Sequence, residues 1–139
     1  MADLLKPTIL VAEDDEALRE LIVTKLEGAG YRTLQACHGI KALDIATTQH
    51  ADGMILDIGM PRLDGFGVLN ALRSSGKTGV PPVMVLTARN AVDDMQRAMQ
   101  LGAKDYMTKP FDDARLLVRV ARLTRAAQRR TDVSAPGTY

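Results

Sequence analysis

Hydrophobic and polar positions follow two rhythms along this chain, and each recurs five times. TILVA (8–12), GMILD (53–57) and PPVMVLTA (81–88) are nearly continuous apolar runs, while YRTLQAC (31–37) and KDYMTK (104–109) are shorter and more mixed. All five predict strands, the fourth started by prolines that cannot donate to a ladder and the fifth closed by Pro110. The stretches between them carry the helical period. DDEALRELIVTKLEGAG sets Leu18, Leu21, Ile22 and Leu26 on one face and stops at Gly28 and Gly30. HGIKALDIATTQH (38–50) places Ile40, Leu43 and Ile45 likewise, and DGFGVLNALRSSG (64–76) places Phe66, Val68, Leu69 and Leu72. NAVDDMQRAMQLGA (90–103) carries Val92, Met95, Met99 and Leu101 before Gly102. DDARLLVRVARLTRAAQRR (112–130) is a long last helix, acidic at its start and basic towards its end, in agreement with the helix dipole. The small, polar TDVSAPGTY (131–139) reads as a disordered tail beyond a domain at 1–130.

Alternation of strand and helix with short connections implies a parallel sheet with right-handed crossovers. The first, third and fourth strands are apolar throughout, as both-face burial requires. The predicted fold is therefore α/β, a doubly wound five-stranded parallel sheet between two helical layers.

Composition narrows the class without naming it. At 139 residues the chain is one domain with room for a core, and 46% apolar and 25% charged residues are ordinary for a soluble protein. The net charge of +1 creates no field towards nucleic acid or membrane. The one cysteine, Cys37, excludes an internal disulfide, and its place at the end of an apolar segment predicts a packed thiol. The N-terminus lacks a secretory apolar stretch, and no run approaches the ~20 residues of a membrane span, so a cytoplasmic location is expected. His38 and His50 fall at helix edges without other ligand types around them and read as surface residues.

Chemistry concentrates at the strand ends. The first strand ends in Glu13, Asp14 and Asp15, the third in Asp57, the fourth in Thr87 and the fifth in Lys109. In a doubly wound sheet these carboxyl ends frame the ligand crevice. Clustered carboxylates repel one another, and a hard divalent cation, Mg²⁺ or Mn²⁺, relieves that repulsion through oxygen ligands. Lys109 suits a phosphate oxygen and Thr87 offers a hydroxyl. A carboxylate nucleophile, a cation, a lysine and a hydroxyl together suit phosphoryl transfer, with an aspartate as covalent acceptor. Asp15, by contrast, reads as the cap of the first helix.

The stretches ILVAEDDEALRE (9–20), MILDIGMPRLDGFGVL (54–69), VMVLTAR (83–89) and GAKDYMTKPF (102–111) stand in an order and spacing that resemble the receiver domains of two-component response regulators, the chemotaxis regulator included. The resemblance spans about 7–130. It implies the flavodoxin-like strand order 2-1-3-4-5, and a phosphoprotein of bacterial phosphorelay signalling. Asp57 would be the phosphoacceptor, charged by a histidine kinase or phosphotransfer protein. Its phosphotransfer and dephosphorylation would be self-catalysed, not the work of a conventional enzyme. Asp14 and Asp57 would bind Mg²⁺ with the Gly59 backbone carbonyl, and Glu13 would act through water. Lys109 would pair with Asp57 at rest and with phosphate afterwards, across a cis Lys109–Pro110 bond. Thr87 and Tyr106 would form the switch that remodels the face of the fourth helix, fifth strand and fifth helix. Gly59 and Arg89 would tune phosphate lifetime.

Three neighbouring readings fit less well. A flavodoxin-type cofactor binder needs a Ser/Thr/Gly-rich loop after the first strand, where this chain has EDDE. A haloacid-dehalogenase phosphatase carries a second acid where this chain has Gly59. An unphosphorylated pseudo-receiver would lack one of Asp14, Asp57, Thr87 or Lys109, and all are present. The output stays open: a stand-alone receiver acting through protein contacts, as monomer or phosphorylation-dependent dimer, or the receiver of a longer DNA-binding regulator. No recognition helix is visible, so direct nucleic-acid binding is not expected from this chain. Asp105 and Arg119 match one salt bridge of winged-helix regulator dimers, whereas Met95, Gln100 and Arg115 depart from that pattern. The run Arg115, Arg119, Arg122, Arg125, Arg129 and Arg130 is either a solvated face or a docking patch, and Met95 and Met99 either pack their helix or offer an adaptable surface.

Overall fold

The computed structural model describes residues 6–88 and 92–134, with side chains as far as Arg125. Five strands, β1 (Thr8–Ala12), β2 (Arg32–Ala36), β3 (Gly53–Leu56), β4 (Val83–Thr87) and β5 (Asp105–Thr108), alternate with five helices, α1 (Glu16–Gly28), α2 (Gly39–Thr48), α3 (Gly65–Ser74), α4 (Val92–Gln100) and α5 (Asp113–Ser134). The strands pair in parallel in the order β2-β1-β3-β4-β5. The chain leaves β1 for β2 on one side and returns to β3 on the other, so the switch point lies between β1 and β3.

Strand alternation sorts the core into two layers. Leu10, Met54, Leu56, Val83 and Val85 face α2 and α3, where Ala42, Ile45, Phe66, Leu69 and Leu72 cover them, with Ala98 of α4 completing the layer. Ile9, Val11, Ile55, Met84, Leu86 and Met107 face the opposite way, against Ile22 and Leu26 of α1 and Leu116, Val120 and Leu123 of α5. Burial on both sides is why the inner strands read as unbroken apolar runs.

Caps confirm several helix starts. Asp15 accepts the Leu18 N–H at 3.1 Å, Asp64 accepts the Gly67 N–H at 2.9 Å, and His38 Nδ1 accepts the Lys41 N–H at 3.2 Å. His50 is exposed and pairs with Asp52 at 3.0 Å.

Four expectations are corrected. Cys37 is exposed: Ala36 is the last buried side chain of the edge strand β2, and the chain turns at Cys37. Leu21 and Ile40 are exposed, because Ile22 and Leu26 seat α1, while Ala42, Ile45 and Ala46 seat α2. Val92 also faces outward, and of the two alternatives for Met95 and Met99 the exposed one holds, since α4 rests on Ala98 and on the Arg97 guanidinium stacked 4.1 Å over the Phe66 ring. Helix α5 continues through 131–134, four residues into the stretch read as a disordered tail. Thr131, Asp132 and Val133 do not break a helix already held by its apolar face, and Pro136 stands just beyond. The rest of that tail and Arg89 lie outside the described residues.

Candidate functional site

Register assembles the site. Ala12 pairs with both Ala36 and Leu56, so the residues one step further, Glu13 and Asp57, emerge side by side at the switch point. The ladder runs on into the loops: Asp57 N–H donates to Ala12 O at 3.0 Å, Glu13 N–H to Ala36 O at 3.0 Å, and Lys109 N–H to Thr87 O at 2.7 Å. Each chemical side chain is thus attached to the stiff end of a strand.

Carboxylate oxygens of Glu13, Asp14 and Asp57 all lie within 4.8 Å of one another. Glu13 and Asp57 are buried and Asp14 faces solvent. The Lys109 ammonium reaches Glu13 Oε1 at 2.7 Å and Asp57 Oδ2 at 3.3 Å. Asp57 Oδ1 accepts the Gly59 N–H at 3.0 Å, which sets Gly59 against the carboxylate. Thr87 is buried at the end of β4. Tyr106 sits one strand away, half-buried, against the α2–α3 layer and beside an outer groove lined by Met95, Met99, Asp105 and Arg119. The strand ends therefore bring together Glu13, Asp14, Asp57, Gly59, Thr87 and Lys109, and place Tyr106 behind them. The Lys109–Pro110 bond is cis, and Asp105 pairs with Arg119 within this chain at 2.6 Å.

Electrostatics match the crowding. Burial, with Asp57 alongside, pushes Glu13 up to about 7 from 4.5 despite its bond to Lys109. Burial works against the Lys109 ammonium, yet Glu13 and Asp57 outweigh it and hold its pKa above the ordinary 10.5. Three acids served by one lysine leave negative charge in excess. An all-oxygen donor set of this kind, one member open to solvent, fits a small hard cation that keeps part of its water shell.

Two contributions were not visible in the sequence. Lys109 makes its shorter contact with Glu13, not Asp57. Arg19 donates from α1 to the Glu13 backbone carbonyl at 2.9 Å, a contact that no motif marks.

A doubly wound sheet with three carboxylates and a lysine at its switch point is an arrangement suited to gathering phosphoryl oxygens. Residues 9–121 match the family model of the response regulator receiver domain, and the chain belongs to that family. It is 42% identical over 126 residues to the DNA-binding dual master transcriptional regulator RpaA of Synechocystis sp., a match covering 91% of this chain and 51% of RpaA. The chain spans about half the length of the curated relatives it matches. Among solved structures it is similar to the receiver domain of Francisella response regulator 1452 (TM-score 0.81, 35% identity, 87% of this chain and 98% of that one). It is also similar to the receiver domain of the sensor histidine kinase PA1611 of Pseudomonas aeruginosa PAO1, which has a magnesium ion in its active-site cleft (TM-score 0.78, 30% identity, 86% and 98%). Among the described residues, no helix is long and apolar enough to cross a membrane.

Proposed function

We propose that this receiver domain takes a phosphoryl group on Asp57 from a phosphohistidine of a kinase or phosphotransfer protein and changes its outer face in response. The observation that carries this reading is the meeting of Asp57, Asp14, Glu13 and Lys109 at the switch point, with Lys109 3.3 Å from Asp57 Oδ2. An Asp57 carboxylate oxygen attacks phosphorus, the P–N bond of the donor breaks, and its electron pair returns to the imidazole, which takes up a proton. Asp57 leaves the step as an acyl phosphate; water later attacks phosphorus, the bond from phosphorus to the Asp57 oxygen breaks, and inorganic phosphate departs as the carboxylate is restored. Lys109 moves from the carboxylates to a phosphoryl oxygen, neutralising part of the charge. Gly59 N–H holds Asp57 Oδ1, and Oδ2, released as Lys109 moves to the phosphoryl group, is the attacking atom. Asp14, Asp57 and the Gly59 carbonyl would hold Mg²⁺ (Mn²⁺ could replace it), with Glu13 through water. The cation supplies charge neutralisation and orientation of the phosphoryl oxygens.

Thr87 and Tyr106 are proposed as the switch: the hydroxyl follows the phosphoryl oxygen, and the space it leaves admits the ring. Tyr106, Met95 and Met99 share the same groove, so the ring's movement alters the surface offered by α4, β5 and α5. A cytoplasmic protein partner is the output proposed for this face. A longer DNA-binding regulator is the second reading, favoured by the similarity to RpaA, a DNA-binding regulator of about twice the matched length.

Incubation with acetyl phosphate and Mg²⁺ tests the acceptor. The protein should gain the mass of one phosphoryl group, labile to acid and base, and the Asp57→Asn variant should gain none. A phosphorylated Asp57→Asn protein would overturn the assignment.

A further inference from the structure

The acidic loop after β1 is held from outside the acidic cluster. Arg19, half-buried in the first turns of α1, donates Nη1–H to the Glu13 carbonyl oxygen at 2.9 Å and Nε–H to Gln35 Oε1 at 3.1 Å. The Glu13 carbonyl belongs to the peptide unit that joins Glu13 to Asp14, so this contact sets the plane from which Asp14 projects. The other side of Glu13 is fixed to β2, its N–H donating to Ala36 O at 3.0 Å. Arg19 is itself tied to the loop, its own N–H donating to Asp15 O at 2.8 Å. Gln35 stands on the neighbouring strand, one residue before Ala36, and steers the planar guanidinium fork.

We propose that Arg19, oriented by Gln35, is a positioning residue that holds the Glu13–Asp14 peptide in the conformation in which Asp14 meets the cation. The inference rests on the reading of Asp14 and Asp57 as cation ligands. Its physical basis is pre-organisation. Asp14 is the exposed acid of the cluster, and a free loop would have to be ordered at the moment of binding, which weakens affinity. Outer partners that orient metal ligands are worth on the order of 10–100-fold in affinity. Charge and geometry separate cleanly in one substitution: lysine keeps the charge but cannot bridge a carbonyl and an amide with a rigid fork.

The test is a Mg²⁺ titration of the whole protein, followed by amide NMR shifts of Glu13, Asp14 and Gly59, alongside thermal melting in EDTA. Arg19→Gln should weaken Mg²⁺ about tenfold while the melting point without metal stays within a few degrees. Arg19→Lys should behave like Arg19→Gln. Gln35→Ala should cost about threefold, the size of one exposed hydrogen bond, and should add nothing when combined with Arg19→Gln. Phosphorylation by acetyl phosphate, which needs no docking protein, should slow in parallel at low Mg²⁺ and recover at saturating Mg²⁺. Full affinity in Arg19→Lys would show a charge effect and overturn the positioning role, as would additive losses in the double variant. If Arg19→Gln fails to fold, Gln35→Ala still decides the matter, because unchanged affinity there refutes the proposal. An Asp14→Asn control separates the two levels: if it too leaves Mg²⁺ binding unchanged, the cation site itself is wrong; if it alone abolishes binding, only the role of Arg19 is.

Discussion

At the scale of single residues, Glu13 has a partner that the resemblance did not imply. Beside the water-mediated role at a cation that the resemblance implies, its carboxylate is almost fully buried and takes the shorter of the two Lys109 ammonium contacts, at 2.7 Å. Lys109 therefore bridges two acids, and a charge lost from one partner is felt by the other. In the metal-free protein Glu13 titrates near 7 against 4.5 for the ordinary group. Between those values the folded chain holds a proton that the unfolded chain has released. The stability this contributes is complete below about 4.5 and is lost as the pH rises through about 7. Urea midpoints measured in EDTA should therefore fall for the wild type relative to Glu13→Gln across that window. A difference between the two proteins that is constant from pH 4 to 8 would contradict the shift.

At the scale of elements, the loop between β3 and α3 is held by glycine contacts as well as by its turns. Gly65 N–H donates to Ile58 O at 2.9 Å and closes the loop. A side chain at Gly65 would come within 2.6 Å of Ile58 Cα and 2.9 Å of Asp57 O, so the strand end carrying Asp57 and the start of α3 touch through backbone alone. Gly39, the first residue of α2, lies closer still: a Cβ there would overlap the Leu63 carbonyl oxygen. Gly39→Ala should destabilise the protein by about 1–3 kcal/mol through overpacking, read from urea unfolding. Gly28→Ala serves as its control, since a Cβ at that helical position meets nothing within 4 Å and should leave stability equal or higher by up to ~1 kcal/mol. Equal effects of the two substitutions would mean that the α2–loop contact is not tight.

At the scale of the whole molecule, the site joins the carboxyl ends of β1, β3 and β5, so a ligand held there ties together elements far apart in sequence. A cation that binds only the folded chain stabilises it by mass action. Mg²⁺ at ten times its dissociation constant should add about 1.4 kcal/mol, or about 3–5 °C in melting temperature for a chain of this size. Asp14→Asn should abolish the shift, and a Mg²⁺-dependent rise that survives in that variant would place the cation elsewhere. The outer face belongs to the same scale. Met95 and Met99 lie exposed beside Tyr106, at 41% and 44% of their free surface, so any change passed from Thr87 to Tyr106 reaches an apolar surface that already faces solvent.

Much of this was legible in the sequence because parallel sheets are simple in one respect. Hydrophobic runs bounded by helical stretches determine the order of elements, and parallel strands put every carboxyl end on the same edge. Asp14, Asp57, Thr87 and Lys109 therefore group at one edge on sequence alone. Periodicity records that a helix has an apolar face, but not whether another element covers it, which is why Leu21 and Ile40 lie outward on helices whose pattern placed them inward, and why Met95 and Met99 stay open between packing and an exposed surface until the exposed position is seen. Cys37 followed the same rule at a strand end. The preference of Lys109 for Glu13, the overlap that excludes a side chain at Gly39, and the reach of Arg19 to the Glu13 carbonyl depend on distances between segments remote in sequence. The chain's pattern determined which chemical groups meet; only tertiary packing decided which of them touch, because contact depends on tenths of an ångström that no residue's identity encodes.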